Sequence, residues 1–406
     1  MAFGCAKSQN LYCPVSSMDR VPVFGTEDVG SSASRGIFMS IKLLKELGQI
    51  AQKHNLKIWA VGGFARDFVL HKKTKDIDIF VEETTAPLIN YCQKNKGASV
   101  QKFNNFGTAR VIFKDGFKLD FVCCRKEIYP KPAVLPVVSK ATIKEDLFRR
   151  DFTCNALALS LLPIEFFKIY DLYNSLKDIK NKRVSVLHAK SFEDDPTRLY
   201  RALRFAARLN FKLSKETEKL FKTALAKNYI ALLTPARKTN EIIKFLEEKQ
   251  PSKIFNLIKK YKAQNLICPN FKAPKNIDKF KTLEERLALL ILTQKAPEVF
   301  LNTLQMPKNN LALTHNLLKF YKAAQAHLKP LTKQEISLIK TLTPKINKLA
   351  YTPCFIDGKT LQSMGIKGAK ISEILNKIAK VQFTGKIKTK KAARNLAIQL
   401  ANKENN

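Results

Sequence analysis

Acidic residues are what this chain of 406 residues is short of: 34 Asp and Glu stand against 72 Lys and Arg, a formal net charge of +38. A surplus of that size repels itself in a compact fold and attracts polyanions, so RNA or DNA phosphate is the expected partner and binding should weaken steeply with salt. An AT-rich genome is the alternative source of the lysines, and it leaves the shortage of acids unexplained. Long apolar runs are also missing. Nowhere do eighteen apolar residues follow one another, so no membrane-spanning helix is expected. The eight cysteines (Cys5, Cys13, Cys92, Cys123, Cys124, Cys154, Cys268, Cys354) include no Cys-x-x-Cys pair, and no histidine cluster accompanies them. That argues against zinc and for buried thiols in a reducing compartment, the cytoplasm. The first residues lack the basic start and apolar core of a secretory signal, and no internal repeat is present.

A chain this long holds two to four domains. Residues 1–38 contain Ser, Gly and Pro, few lysines and no helical or strand period; they read as an extension that is disordered, a poor transit peptide, or the product of an upstream start codon, the last preferred. A helix-like run opens at Met39. From residue 57 strands and helices alternate: "KIWAVGG" is a buried strand ending in a glycine turn, "FARDFVL" a short helix, "DIDIFV" a strand and "APLINYCQKN" a helix. "TARVIF" and "FKLDFVCC" are paired strands around the Asp115-Gly116 turn. Residues 129–141 carry three prolines and little period, and read as a linker. Beyond about residue 191 the pattern is helical with lysine on the polar side, broken at Pro235, Pro251, Pro269, Pro307 and Pro353. The expected class is α+β: a small head with a mixed β-sheet, then an all-helical body.

Asp76 and Asp78 are the first candidates for chemistry. On a strand, residues i and i+2 project to one face, so the two carboxylates converge. They repel unless a hard cation lies between them, and oxygen donors suit Mg²⁺. Asp120, on the neighbouring strand "KLDFV", is a less certain third ligand. Two metal ions held this way activate an attacking hydroxyl and stabilise a leaving pyrophosphate. Gly62 and Gly63 follow a strand and open a helix, where backbone N–H groups favour a triphosphate, and Arg66 lies in the first helical turn. The alternative is a tight turn followed by a strand with two solvent-facing acids.

The fuller string "GGFARD…DIDIFV" resembles the signature of the DNA polymerase β-type nucleotidyltransferase superfamily, and within it the branch of class II tRNA nucleotidyltransferases (CCA-adding enzymes) and bacterial poly(A) polymerases. Three further segments carry the resemblance in the right order. "EDLFRRDFTCNALAL", residues 145–159, matches the RRDFT-x-NA element; Arg149 and Arg150 can neutralise a triphosphate and Asn155 can reach a sugar hydroxyl. "FEDDPTRLYRALRFAARLNF", residues 192–211, matches the neck helix, in which the family uses an acid and an arginine to read the base of the incoming CTP or ATP. The matching positions are Asp195 and Arg198, with Arg201 a turn later toward phosphate. An ordinary helix cap by Asp195 before Pro196 is compatible with that role. The C-terminal stretch "FIDGKTLQSMGIKGAKISEILNKIAKVQFTGKIKTKKAARNLA" resembles the family's tail. It is free of acids from Glu373 to Glu404 and accumulates Lys386, Lys388, Lys390 and Lys391, a phosphate-tracking strip or a merely solvated helix face.

The resemblance implies extension of a tRNA 3′ end from CTP and ATP with release of pyrophosphate, two Mg²⁺ ions, and tRNA held by its acceptor arm. It divides the chain into a nucleotidyltransferase head (39–165), a neck with the base-reading helix (166–245), a helical body (246–340) and a basic tRNA-binding tail (341–406). Products within the family differ: CCA, CC, the terminal A alone, or poly(A). A non-catalytic RNA-binding protein is the reading from another class, and the intact Asp76, Asp78 and RRDFT argue against it. Departures from the family pattern are Asn174 and Ser175 where two glycines are usual, and Ala236 where an acid is usual.

Overall fold

The computed structural model describes residues 31–72, 77–102, 108–306, 354–383 and 386–402, in two compact units, residues 1–232 and 233–406. The first unit is built from strands β1 (Ile58–Val61), β2 (Ile77–Val81), β3 (Ser99–Lys102), β4 (Ala109–Ile112), β5 (Lys118–Cys123), β6 (Arg125–Ile128), β7 (Val137–Lys140), β8 (Leu157–Ser160) and β9 (Ile169–Asp171). Seven of them form one sheet in the order β3-β4-β5-β2-β1-β8-β9. Within it β2 and β5 run parallel and every other neighbouring pair is antiparallel. This is the mixed sheet of the expected α+β class.

Local sequence explains the central pair. Every residue of β1 (IWAV) and of β8 (LALS) is buried, so these strands read as continuous apolar runs without alternation. The β4–β5 hairpin closes through Phe113 and Phe117 around Asp115-Gly116, as the turn residues predict, and Gly116 takes φ +83°. Helix α1 (Ser31–Lys53) begins eight residues ahead of Met39, where the periodic run was expected to open. It buries Leu43, Leu44, Leu47 and Ala51, and at Gly48 it passes so close to the Leu161 carbonyl that an added Cβ would lie 1.9 Å from the oxygen. Helices α2 (Gly63–Val69) and α3 (Ala86–Lys96) follow as predicted.

The proline-containing stretch expected to be a linker holds a strand: β7 pairs antiparallel with β6, Arg125 opposite Lys140 and Ile128 opposite Val137. All four residues of β7 are at least partly exposed, so its sequence lacks the alternation that marks a half-buried strand. Helix α4 (Ile143–Phe148) starts on a capping box between Thr142 and Glu145. After α5 (Ser175–Lys180) and the short parallel pair β10 (Arg183–Val184) and β11 (Lys212–Leu213), the chain turns through α6 (Ser191–Asp194), α7 (Thr197–Leu209) and α8 (Lys215–Ala226). The Asn174 departure has a physical account. Asn174 adopts φ 58°, ψ 32°, a left-handed conformation that Asn tolerates where glycine is usual. Ser175 is fully buried and donates to the Ala156 carbonyl, while the Asp171 carboxylate accepts from the backbone of Ser175 and Leu176.

The second unit is helical where described: α9 (Pro235–Glu247), α10 (Pro251–Lys260), α11 (Leu283–Leu292), α12 (Pro297–Thr303), then helices Gly358–Ser363, Ala369–Phe383 and Lys390–Asn402. At the position of the Ala236 departure, Thr234 caps α9 ahead of Pro235. Buried Arg286 ties α11 to the end of α9, donating to the Leu246 and Glu248 carbonyls. The last three helices close their own apolar cluster around Leu361, Ile378, Ala393 and Ala397. No helix among the described residues is long and apolar enough to cross a membrane.

Candidate active site

Where β1 ends, Gly62 adopts φ 65°, a conformation that L side chains rarely take, and hands the chain to α2. A Cβ there would lie 2.8 Å from Nη1 of Arg150 and 3.8 Å from Oδ2 of Asp78, so the glycine lets three parts of the sequence meet. Its N–H is engaged by the Leu157 carbonyl at 3.3 Å, so backbone donors in the helix's first turn come from Gly63 onward. These residues open a cavity of about 570 Å³. Lining it are Gly62, Gly63, Arg66, Asp78, Arg149, Arg150, Asn155, Asp195, Arg198 and Arg201, so ten of the sequence-predicted residues converge.

Asp76 lies outside the described residues. Asp120 is the register neighbour of Asp78 across the parallel β2–β5 pair, and the two side chains share a face of the sheet. Its carboxylate is engaged by Arg110, which donates from Nε and Nη2 at 2.7 Å each, and Asp120 is not among the residues lining the cavity. Arg110 and Asp120 sit opposite each other in the antiparallel β4–β5 ladder, so counting back from the Asp115-Gly116 turn exposes this pair in the sequence itself.

Two acids that sequence reasoning passed over hold the arginines. Asp146 is completely buried in α4 and accepts from the Arg125 backbone N–H (3.1 Å), from Nε (3.1 Å) and Nη2 (2.9 Å) of Arg149, and from Nη2 of Arg150 (3.2 Å). Its spacing of three and four residues from the twin arginines was the signal. Arg149 also donates to Glu127 at 3.0 Å, so its guanidinium is largely committed to the protein. Arg150 lies over the Phe80 ring at 4.9 Å, and its Nε is buried with no hydrogen-bond partner. Asp151 accepts from Nε of Arg201 (2.7 Å) and from the Asn155 amide (3.0 Å), and the Asn155 oxygen accepts from Arg66 at 2.7 Å. Asn155 therefore links Arg66 to Asp151 and Arg201 rather than presenting its whole carboxamide to the cavity. Burial alone would raise the Asp151 carboxyl; Arg201 and the Asn155 amide, with Arg198 beyond, outweigh it and hold the carboxyl below the usual range.

Asp195 was expected one helical turn before Arg198 on a shared face; it lies instead in extended conformation just ahead of α7, while Arg198 is in the helix's first turn. Oδ1 of Asp195 accepts from the Thr197 N–H (3.1 Å) and hydroxyl (2.7 Å), fixing the start of α7. Arg198, buried, donates to Ser191 Oγ at 2.8 Å and to the Arg149 carbonyl at 2.8 Å. Its Nη1 also lies 3.4 Å from Nε2 of His188, which places the neutral ring's proton on Nδ1, toward Asp194. Burial, then the charge of Arg198, pushes His188 down to about 4 from 6.5. The sign follows: between pH 6.5 and about 4 the unfolded chain takes up a proton that the folded protein refuses, so stability falls as the pH falls through that window. Thermal unfolding followed against pH should show a shallower slope there for His188→Gln.

Further lining residues were not singled out from sequence: Arg125, Glu127, Tyr129, Phe205 and Arg208. Phe205 gathers the guanidinium groups of Arg66, Arg201, Arg204 and Arg208 within 5.5 to 5.8 Å of its ring. Far along the chain, Lys386, Lys388, Lys390 and Lys391 are all exposed. The last two open a helix, where the dipole disfavours cations.

The family described as "Poly A polymerase head domain" matches residues 58–185, and "Probable RNA and SrmB- binding site of polymerase A" matches residues 210–273. Over these residues the chain resembles class II tRNA nucleotidyltransferases and bacterial poly(A) polymerases. An A-adding tRNA nucleotidyltransferase of Geobacter sulfurreducens is 38% identical over 214 residues, 53% of this chain and 24% of that protein. One from Aquifex aeolicus is 41% identical over 216 residues, 53% of this chain and 26% of its own. The chain thus spans about a quarter of the length of these two relatives. Among solved structures, a CCA-adding enzyme in an apo form superposes with a TM-score of 0.68 at 26% identity, covering 89% of this chain and 96% of that one. Members of this family generally use divalent metal ions.

Proposed function

We propose that this protein extends the 3′ end of tRNA with C, A or both, taking CTP and ATP as donors, releasing pyrophosphate and using no nucleic-acid template. The observation that carries the reading is the cavity's charge: seven arginines (Arg66, Arg125, Arg149, Arg150, Arg198, Arg201, Arg208) surround Asp78, with only three other acids among the lining. Such a surface fits a triphosphate approaching a carboxylate that holds a cation. Arg150, with its unpartnered buried Nε, and Arg66 are the triphosphate ligands, helped by Gly63 and the Gly62 turn. Arg149 acts chiefly by holding Arg198 through its carbonyl. Asp195 and Arg198 read the base, and Arg201 with Asn155 supports the sugar and phosphate side.

The carboxylate oxygens suit a hard ion, so Asp78 and Asp76 would hold Mg²⁺, two ions by the chemistry of the superfamily. When bound, such ions neutralise the triphosphate and lower the pKa of the attacking hydroxyl. Asp120 joins them only if Arg110 releases it. In the transfer the RNA 3′ oxygen, losing its proton, bonds to the α-phosphorus as the bond to the β-phosphate oxygen breaks and pyrophosphate leaves. The exposed lysines at 386, 388, 390 and 391 track phosphates of the tRNA, which weakens with salt. The six described cysteines are free, four of them buried, which supports a reducing, cytoplasmic setting.

The higher identity to A-adding relatives favours a narrower second reading, addition of the terminal A alone. The test for both is to offer tRNAs shortened stepwise from the 3′ end, with each nucleotide singly and together, and to sequence the products. CCA on the shortest substrate supports the broad reading and A only after CC the narrow one. Long A tails on any RNA contradict both.

A further inference from the structure

Glu127, Tyr129, Arg149 and Arg198 line the arginine-rich cavity and also a second hollow of about 1000 Å³. Its remaining walls differ in chemistry. Phe148, at the end of α4, is 45% exposed although it lies against Tyr173 (ring centroids 5.7 Å apart) and His188 (5.4 Å). Lys126, Lys144 and Lys190 contribute cations, and none of the three forms a salt bridge among the described residues. The acids present are already engaged: Glu127 pairs with Arg149 and Arg125, Glu145 belongs to the capping box of α4, and Asp194 faces Nδ1 of His188. A flat apolar face beside ammonium groups that form no salt bridge is the pairing that holds unpaired nucleic acid, the face for a base and the ammonium groups for its phosphates. Paired bases do not present such faces, and a purely apolar ligand has no use for the lysines.

We propose that this hollow is a subsite for an unpaired nucleotide of the RNA strand that the protein extends, its base against Phe148 and its phosphate among Lys126, Lys144 and Lys190. The identity of that strand rests on the transfer reading; the binding of an unpaired base does not. Because four side chains border both spaces, a strand occupying this hollow lies next to the cavity that contains Asp78.

The experiment measures binding of a fluorescent single-stranded RNA oligonucleotide to the full chain without nucleotide, then KM for shortened tRNA and for ATP separately. Phe148→Ala should weaken oligonucleotide binding about 10-fold, the worth of one base stacked on an aromatic ring, and raise KM for tRNA with KM for ATP unchanged. Phe148→Trp should restore binding and Phe148→Leu should not. Should Phe148→Ala fail to fold, Lys126→Gln with Lys144→Gln gives the same reading through the salt dependence, whose slope should drop by about 2. Unchanged RNA affinity in folded Phe148→Ala, rescue by leucine, or a loss confined to KM for ATP overturns the proposal. Oligonucleotide binding that follows Phe148 in a protein that transfers no nucleotide supports the subsite and sinks the transfer reading instead.

Discussion

Asp78→Ala should lower nucleotide incorporation by about 10³-fold or more while leaving tRNA retention in a gel-shift assay nearly unchanged. The separation follows from placement. Asp78 is the one β2 acid that lines the cavity, next to Gly62 and Arg150, whereas the exposed lysine strip at 386–391 lies in the other compact unit. A carboxylate that only stiffened the strand would give the opposite pattern, lost stability with activity preserved in the surviving folded protein. Asp78→Asn keeps the shape, discards the charge, and should fail as badly as alanine. An active Asp78→Ala protein would remove Asp78 from the metal site.

The second large effect belongs to Asp146, a residue with no direct part in the chemistry. It is completely buried and accepts from the Arg125 backbone and from both twin arginines. Removing one partner of a buried ion pair strands the other charge, at a cost of about 3–5 kcal/mol. For a unit of this size Asp146→Ala should lower the midpoint of thermal unfolding by roughly 10 °C. Under conditions where the variant remains folded, KM for the nucleoside triphosphate should rise, since Arg150 loses the contact that aims it past Gly62. A midpoint within a degree or two of the parent would mean that the arginines are held by Glu127 and the cavity's other acids.

Much of this arrangement is legible in the letters because it is local. The β1–turn–α2 unit follows from an apolar run, two glycines and a helical heptad, and the β4–β5 hairpin follows from its Asp-Gly turn. Asp195 and Arg198 come to the same cavity because Asp195 stands just ahead of α7 and Arg198 lies in its first turn. Apart from Asp146, whose spacing from the twin arginines is local, what sequence reasoning passed over depends on register and long-range pairing. Arg201 finds Asp151 across fifty positions, and no periodicity announces it. The partner of Asp120, the third carboxylate, is Arg110, and only cross-strand register sets the two against each other. Strand β7 escaped notice because its edge pairing with β6 needs no buried face. Asn155, expected to meet a sugar, is largely taken up in joining Arg66 to Asp151, a role visible only once α2 and α7 are assembled around residues 151–155.

The central claim is that the arginine-lined cavity around Asp78 joins a nucleotide to an RNA 3′ hydroxyl. Its most direct test counts pyrophosphate released against nucleotides incorporated, with tRNA whose last hydroxyl is present or replaced by hydrogen. The account predicts one pyrophosphate per nucleotide added, dependence on a divalent ion, and no release from the deoxy-terminated tRNA. Release of inorganic phosphate instead, or pyrophosphate formed at the same rate without an RNA hydroxyl, would contradict it.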